Sequence, residues 1–274
     1  MATNGEAKLK DILQDPLRYI PRFLKVINKQ NELVPMNLTY PFPAQEFYIQ
    51  NRTHRDVILK NRQTGMSTGI LGANAHPLFT KKHQRHTIIA HDDETAEFLL
   101  MTIWRFWRNL PPEIRPRTDW KSGHRMRFPD MDSYVYVDSA RSDNIGIGHG
   151  ISYCHLSEIS KWPHRKALEL FTDISQTVPI DGYITLESTP KGKGGLFYDL
   201  YTEAKAGENG YKAFFFPWWW DGTCVRPVLE SSQVLKQQNL ISSKLNLSLQ
   251  NYQNEEIRIA ERNNLSPPQM SFRR

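Results

Sequence analysis

Short apolar runs of strand length recur between residues 56 and 217, and their alternation with helical segments constrains the fold more than any other sequence feature. The six runs are Val57–Leu59, Thr87–Ala90, Tyr134–Val137, Ile151–Leu156, Tyr183–Leu186 and Ala213–Phe216. Segments with helical periodicity, at 68–79, 95–109 and 166–176, follow several of these runs. This alternation predicts an α/β fold in which helices flank a mainly parallel central sheet. One pair departs from it, because Pro129–Asp132 joins Arg127–Phe128 to the third run in a manner that also suits a hairpin.

The pattern divides the chain into three parts. In residues 1–35 apolar side chains recur at three- and four-residue steps, which predicts an N-terminal helical segment. Residues 36–217 hold all the strand-like runs and are expected to form the core. Residues 218–274 include a stretch, 229–263, that is rich in Ser, Gln, Asn and Glu and has helical periodicity. We expect a small helical lid and a linker in this third part.

Composition excludes several classes of protein. With 39% apolar residues the chain can bury a core, so disorder is not expected. No window is long and apolar enough for a membrane span or a signal peptide, which predicts a cytosolic protein without membrane contact. The only two cysteines, Cys154 and Cys224, are far apart and predict reduced thiols rather than a zinc site. A net charge of +6, from 35 basic and 29 acidic residues, is compatible with a polyanionic partner.

The first candidate site follows the run Val57–Leu59. A polar loop containing Gly65 leads into Ser67 and Thr68, which open a predicted helix. In such a strand-loop-helix unit, backbone N–H groups and the helix N-terminus converge on an anion. Compared with the phosphate-loop pattern G-x-x-x-x-G-K-[ST], Lys60 replaces the first Gly and Met66 replaces the Lys. The predicted nucleotide-binding residues are Lys60, Asn61, Arg62, Gln63, Thr64, Gly65, Met66, Ser67 and Thr68.

Two side chains of this phosphate loop, residues 60–68, are candidates for the cation that binds the phosphates. Since the loop curls around the phosphate, Lys60 can supply the positive charge from the opposite side, and Arg62 is the competing donor. Ser67 is predicted to ligate Mg²⁺, and Gly65 permits close approach of the backbone. The alternative is an ordinary strand-to-helix turn with a surface Lys and Arg.

A carboxylate follows the fourth run. Ser157 and Glu158 come directly after Ile151–Leu156, where a phosphate site usually carries Asp-Glu at the carboxyl end of a parallel strand. Glu158 is predicted to orient or deprotonate the water that attacks the γ-phosphorus and to lie at the metal. Ser157 lacks the carboxylate of the usual Asp. The alternative is that Glu158 caps a short helix.

Four further residues are candidates for the site, although the sequence evidence for each of them alone is weaker. Arg141 lies in the Gly-rich segment 140–150, from which it can neutralise charge in phosphoryl transfer within its own or a neighbouring subunit, or remain a solvated loop residue. Ser188 and Thr189 end the fifth run, where hydroxyls can sense the γ-phosphate, although a plain turn fits equally well. Gln45, near Tyr40–Phe42, is of a type that reads adenine with both amide atoms.

Four segments stand in an order and spacing that resemble the large terminase subunit of tailed bacteriophages. They are Lys60–Thr68, His155–Pro163, Glu187–Pro190 and Phe215–Trp220. The resemblance implies an ASCE-type P-loop ATPase that uses ATP and Mg²⁺ to move double-stranded DNA into a procapsid. Carried over by position, Lys60 or Arg62 is the phosphate-loop cation and Glu158 the catalytic carboxylate. Gln45 falls in the adenine motif, Ser188 and Thr189 in the coupling motif, and Arg141 near the arginine finger.

The resemblance also implies partners. These are the portal protein of the procapsid, the small terminase subunit and further copies of the chain in a ring on the capsid, in the cytoplasm of the host cell. Whether the isolated chain assembles or stays monomeric is left open. The run 251–270 resembles the linker that leads into the nuclease domain of this family, so we expect no nuclease activity from this chain.

Two further functions compete with this interpretation. One is a P-loop DNA or RNA translocase outside packaging. The other is a degenerate P-loop module that binds DNA or portal protein without turnover, which Met66 and Ser157 favour. The presence of Glu158, Ser67 and an alternative cation favours an active ATPase.

Overall fold

A computed structural model describes residues 4–39, 42–119, 123–142, 145, 150–225, 230–245 and 247–273. The chain forms two compact units, Met1–Pro217 and Trp218–Arg274. No helix among the described residues has both the length and the apolar character needed to cross a membrane.

The N-terminal residues form two helices and then a hairpin. Helix α1 spans Asn4–Gln14 and helix α2 spans Pro16–Phe23, and strands β1 (Lys25–Ile27) and β2 (Leu33–Pro35) pair antiparallel. The prediction of a helical segment over residues 1–35 is therefore wrong beyond Phe23. The reason is local turn chemistry: the side chain of Asn28 accepts the backbone N–H groups of Gln30 and Glu32, and so closes a turn between the strands.

A seven-stranded sheet forms the centre of the first unit. Its strands are β3 (Arg55–Lys60), β4 (Arg85–Ala90), β5 (Arg125–Phe128), β6 (Ser133–Ser139), β7 (Tyr153–Ser157), β8 (Tyr183–Ser188) and β9 (Lys212–Phe216). Their order across the sheet is β5-β6-β4-β7-β8-β3-β9. All neighbours are parallel except the edge strand β5, which forms a hairpin with β6. The six predicted strands, the predominantly parallel sheet and the predicted hairpin are thus confirmed.

Helices cover both faces of this sheet. They are α3 (Pro43–Asn51), α4 (Met66–Thr80), α5 (Asp93–Arg108), α6 (His164–Thr177) and α7 (Leu196–Ala206). Because successive strand residues point to opposite faces, Ile58 and Ile88 join one buried cluster and their neighbours Val57 and Ile89 the other. Helices α2 to α5 contribute to the first cluster, and α6 and α7 to the second. Such two-sided burial explains why the strands read as continuous apolar runs.

The second unit is helical in its described residues. Helices α8 (Ser231–Lys244), α9 (Leu249–Asn263) and α10 (Pro267–Arg273) follow a short 3₁₀ turn at Trp218–Trp220. Gln238 of α8 donates a hydrogen bond of 2.6 Å to the buried Glu256 of α9. Polar contacts of this kind explain how a stretch so rich in Gln and Asn packs as helices.

Candidate active site

The predicted site residues meet because three strands are neighbours. Strands β7, β8 and β3 are adjacent and parallel, so their carboxyl ends lie at one edge of the sheet. In register, Ser157 is opposite Glu187, and Leu59 is opposite Ser188. Strand β8 thus separates the strand that enters the phosphate loop from the strand that precedes Glu158. Ligands of open α/β sheets bind at this edge.

Lys60, the last residue of β3, lies between two carboxylates. Its Nζ is 3.0 Å from Glu158 Oε1 and 3.0 Å from Glu187 Oε2, and it donates a longer hydrogen bond of 3.4 Å to Ser67 Oγ. Burial by itself lowers the pKa of Lys60, but Glu187 and Glu158 outweigh it, so the pKa is raised and the ammonium stays charged. Arg62, the competing cation, is exposed on the loop.

Glu158 leaves the strand with a left-handed backbone, at φ 52°. Its carboxylate contacts Lys60 and Lys161, the latter at 3.1 Å, and accepts a hydrogen bond of 3.2 Å from Thr189 Oγ1. Burial opposes ionisation, but the charge of Lys60 prevails and lowers the pKa of Glu158. Glu158 occupies the N-cap position of the short 3₁₀ helix at Ile159–Lys161, as the alternative expected, but its side chain makes no capping hydrogen bond.

Glu187 is a member of this cluster that the sequence patterns did not predict. It is fully buried on β8, and its Oε1 accepts hydrogen bonds from Ser67 Oγ at 2.8 Å and from Ser157 Oγ at 2.7 Å. His155 Nε2 lies 3.4 Å from the same oxygen. Burial by itself raises the pKa of Glu187, but Lys60 and these neighbours hold it far below its usual range. The available signal was a lone charged side chain at the penultimate position of a strand that is otherwise uncharged.

The hydroxyls at the end of β8 are hydrogen-bonded to the turn that carries Glu158. Ser188 Oγ donates to Ser160 Oγ at 2.7 Å and accepts the backbone N–H of Ser160 at 3.2 Å. Thr189 donates to Glu158, as described above, and its carbonyl accepts Ser160 Oγ at 3.0 Å. A displacement of Glu158 is therefore coupled directly to the segment after β8.

Gln45 is hydrogen-bonded to the backbone of the phosphate loop. It lies on α3 and is 3% exposed, and its Nε2 donates a hydrogen bond of 2.8 Å to the carbonyl of Gly65. This bond uses one N–H of the amide, while Oε1 has no hydrogen-bond partner among the described residues. The adenine-reading role of Gln45 therefore stays a prediction beside its observed contact with the loop backbone. Its neighbours Tyr40 and Pro41 lie outside the described residues.

A Gly65→Ala substitution tests this support. Gly65 has φ +67°, and an added Cβ meets Gln45 Nε2 at 2.6 Å. We expect the free energy of unfolding to fall by about 1–2 kcal/mol for the left-handed backbone, with a further loss as Gln45 is displaced. Gly207→Ala is the matched control, because Gly207 has φ +79° and open space around it. Urea unfolding of both variants is the measurement, and equal losses would contradict the contact.

Met66 and Arg141 have different surroundings. Met66 is fully buried in the core cluster that contains α4, so position 66 directs its side chain inward.

Arg141 is exposed, two residues after β6. Hydrogen bonds from Thr95 lower the pKa of Asp92, and the charge of Arg141 adds a smaller contribution. Of the Gly-rich segment after Arg141, residues 143–144 and 146–149 lie outside the described residues.

The oxygen atoms of the cluster suit a hard divalent cation. Ser67 Oγ and the carboxylates of Glu158 and Glu187 are the ligand types that Mg²⁺ prefers beside a phosphate, and Lys60 supplies a balancing charge. Within the described ranges, no group of three or more His, Cys, Asp or Glu residues forms a metal site. A hydroxyl and a carboxylate leave positions of a six-coordinate Mg²⁺ to phosphate oxygens and water, so the donor set fits a cation that is held jointly with a nucleotide.

Comparisons with known proteins identify solved structures with a similar fold, but no protein with a similar sequence. No protein-family model matches the chain, and no curated protein matches it. The HK97 bacteriophage large terminase is similar with a TM-score of 0.63 and 14% identity, over 85% of this chain and 52% of that one. The large terminase ATPase domain of Thermus phage P74-26 is similar with a TM-score of 0.54 and 20% identity, over 72% of this chain and 86% of that domain.

A third structure agrees with these two. The large terminase of the thermophilic bacteriophage D6E has a TM-score of 0.50 and 10% identity, over 72% of this chain and 48% of that one. The chain thus spans about half the length of the HK97 and D6E large terminases. Both the fold class and the resemblance read from the motifs are confirmed in the architecture: this chain has the fold of a phage large terminase ATPase domain.

Proposed function

We propose that this chain is the ATPase motor of a viral DNA-packaging terminase, which hydrolyses ATP to move double-stranded DNA through a portal into a procapsid. One observation carries the proposal. Lys60, Glu158 and Ser67 converge with the buried Glu187 at the carboxyl edge of the sheet, where Gly65 and the N-terminus of α4 can receive phosphate. The fold shared with large terminases supports the same proposal.

Nucleotide binding follows from the charges of the cluster. The N–H groups at the start of α4 attract the phosphates, and Lys60 is the cation buried beside them, whereas Arg62 contacts them from the exposed loop. Ser67 and Glu158 would hold Mg²⁺, which neutralises charge on the β- and γ-phosphates when bound. Phosphate oxygens compete with Glu158 for Lys60, so nucleotide binding loosens the contact that restrains this carboxylate.

Hydrolysis then uses the released carboxylate. Glu158, with its pKa lowered, is ionised at neutral pH and can accept a hydrogen bond from the attacking water and orient it. When Glu158 moves, Thr189 and the Ser188–Ser160 pair transmit the change to the loop after β8, which carries Lys191 and Lys193. This is the proposed coupling of hydrolysis to DNA movement.

Arg141 is proposed as the arginine finger. It is exposed beyond the end of β6, so it can reach phosphate in its own or in a neighbouring subunit. Mixing an Arg141→Ala chain with a Glu158→Gln chain separates the two arrangements. We expect the mixture to recover phosphate release that neither chain shows alone, because action in trans assembles intact sites at some interfaces. No recovery at any mixing ratio would favour action in cis.

The DNA contact is proposed to use a basic face on the edge of the sheet. Residues 105–127 hold seven Lys and Arg residues against two acidic ones, a net +5 where the whole chain has +6. On β5, Arg125 and Arg127 are exposed while Met126 and Phe128 are buried. Arg125 lies 5.2 Å from the ring centroid of Tyr134. Phosphate contacts of this kind give affinity without sequence preference, which a packaging motor needs.

An Arg125→Ala/Arg127→Ala variant tests this face. We expect weaker binding to double-stranded DNA and a salt dependence whose slope, log K against log[salt], falls by about 2, because two phosphate contacts are lost. Basal ATPase activity should be unchanged, since both residues are remote in the sheet order from β7 and β3. Arg18→Ala/Arg22→Ala removes two exposed arginines of α2 and is the control. Equal effects of the two double variants would contradict the assignment.

Two observations favour a second candidate function, a degenerate P-loop module that binds DNA or portal protein without hydrolysing ATP. Met66 is buried, and position 157 is Ser rather than a carboxylate. A measurement of Mg²⁺-dependent ATP hydrolysis separates the two functions, because the module predicts none. Stimulation of hydrolysis by DNA alone but never by procapsids would instead favour a translocase outside packaging.

A further inference from the structure

Strand β7 has Ser157 at a position where a carboxylate is expected, and the neighbouring strand β8 has a buried carboxylate, Glu187, directly opposite it. Strand β7 ends in Ser157, where the P-loop pattern usually has Asp, and Glu187 is its partner in register on β8. Glu187 Oε1 accepts hydrogen bonds from both Ser157 Oγ and Ser67 Oγ, at 2.7 Å and 2.8 Å. One oxygen of Glu187 therefore joins the serine that replaces Asp to the serine that opens α4.

The burial of Glu187 requires a reason. The side chain has 0% exposure, and an isolated carboxylate in such a position is strongly destabilising. Lys60 Nζ, 3.0 Å from Oε2, offsets this cost, and the two serine hydroxyls satisfy Oε1. A neutral residue of similar volume would need none of these partners. The chain thus maintains a buried anion, the carboxylate of Glu187, in hydrogen-bond contact with Ser67.

The effect on Ser67 follows from the chemistry of a hydroxyl. Ser67 Oγ has one proton and two lone pairs. The proton is donated to Glu187 Oε1, and one lone pair accepts the longer hydrogen bond of 3.4 Å from Lys60 Nζ, so the second lone pair is the one left for a ligand. A hydroxyl held in this way is oriented as a metal ligand, and acceptors behind metal ligands also raise their basicity.

We propose that Glu187 replaces, from the neighbouring strand, the carboxylate that Ser157 lacks, and that it orients Ser67 toward Mg²⁺ of a bound nucleotide. Glu187 is on this account a positioning residue that acts through Ser67. The inference rests on the proposed ATPase function and adds a residue to it. It also explains the small side chain at position 157, since a carboxylate there would press a second anion against a fully buried one.

The test relocates the carboxylate. Ser157→Asp/Glu187→Gln carries one carboxylate on β7, and Ser157→Asn/Glu187→Gln is its nearly isosteric neutral control. Binding of a non-hydrolysable ATP analogue is measured by calorimetry as a function of Mg²⁺ concentration, beside wild type, Glu187→Gln and Ser67→Ala. Thermal unfolding midpoints verify that each variant is folded. Because the two double variants differ by one charge, the comparison survives if Glu187→Gln alone does not fold.

We expect Glu187→Gln and Ser67→Ala each to raise the Mg²⁺ concentration needed for half-maximal binding by about tenfold or more. Analogue binding without Mg²⁺ should change little in both. The Ser157→Asp/Glu187→Gln variant should approach wild type, and the Ser157→Asn/Glu187→Gln variant should remain defective. An unchanged Mg²⁺ requirement in Glu187→Gln, or equal behaviour of the two double variants, would overturn the inference. Wild-type protein that binds no nucleotide would instead refute the proposed function.

Discussion

Glu158→Gln is expected to abolish ATP turnover while leaving nucleotide binding close to that of the unchanged protein, because Ser67, the phosphate oxygens and the amide oxygen of Gln would still hold Mg²⁺. The amide keeps the size and hydrogen-bonding reach of the side chain, but it cannot carry the negative charge that orients and deprotonates water. General-base contributions of this kind are about 10²–10⁴-fold in rate. Lys60 keeps Glu187 as its partner in the variant, at 3.0 Å, so the phosphate loop should stay in place.

The measurement is steady-state phosphate release together with binding of a fluorescent ATP analogue. Glu169→Gln is the control, because Glu169 is an exposed glutamate of α6 and the substitution makes the same change of charge. Hydrolysis retained within a few fold in Glu158→Gln would refute the assignment of the catalytic carboxylate. Loss of analogue binding in parallel with turnover would show that Glu158 acts in binding instead.

Lys60→Ala is expected to have the second large effect, on binding and stability together. The substitution removes the buried cation that faces the phosphates and leaves Glu158 and Glu187 without their shared partner. Breaking a buried ion pair from one side costs about 3–5 kcal/mol, so the free energy of unfolding should fall by an amount of that order at neutral pH. Arg62→Ala is the comparison, because Arg62 is exposed and should affect nucleotide affinity more than stability.

The loss in Lys60→Ala should depend on pH with a definite sign. Lowered pKa values of Glu158 and Glu187 mean that their contribution is present above the usual Glu value of 4.5 and is lost as pH falls through the folded-state values. The raised pKa of Lys60 means that its contribution is present below the usual 10.5 and is lost as pH rises through the folded-state value. The difference in unfolding free energy between wild type and Lys60→Ala should therefore be largest between these limits.

Urea unfolding across pH measures this difference. It should shrink toward acid, because protonated carboxyl groups no longer need the cation. A difference that stays constant from neutral pH down to about pH 3 would contradict the ion-pair account. Nucleotide binding retained in Lys60→Ala and lost in Arg62→Ala would assign the phosphate cation to Arg62.

The central sheet was predictable because its strands are buried on both faces. Runs such as Val57–Leu59 are continuously apolar and are bounded by polar residues, so they stand out without knowledge of their partners. The hairpin of β1 and β2 was not predictable from apolar spacing, since each strand has only three residues and no fully buried position. Its apolar residues continue the periodicity of the preceding helices.

The site was partly predictable for a different reason. Lys60, Ser67 and Glu158 belong to local patterns, and these patterns include the turn or helix start that aims the side chain. The role of Glu187 depends on the register between β7 and β8, which no local pattern contains. Gln45 has the expected residue type, but packing of α3 against α4 directs its amide to Gly65 rather than to open space.

Phosphate release from Mg²⁺-ATP by the purified chain tests the central claim most directly. The assay spans a series of protein concentrations, with and without double-stranded DNA and procapsids, and uses Glu158→Gln as the blank. We predict release above that blank, dependent on Mg²⁺ and increased by higher protein concentration and by DNA with procapsids. Release indistinguishable from Glu158→Gln under every one of these conditions would contradict the account.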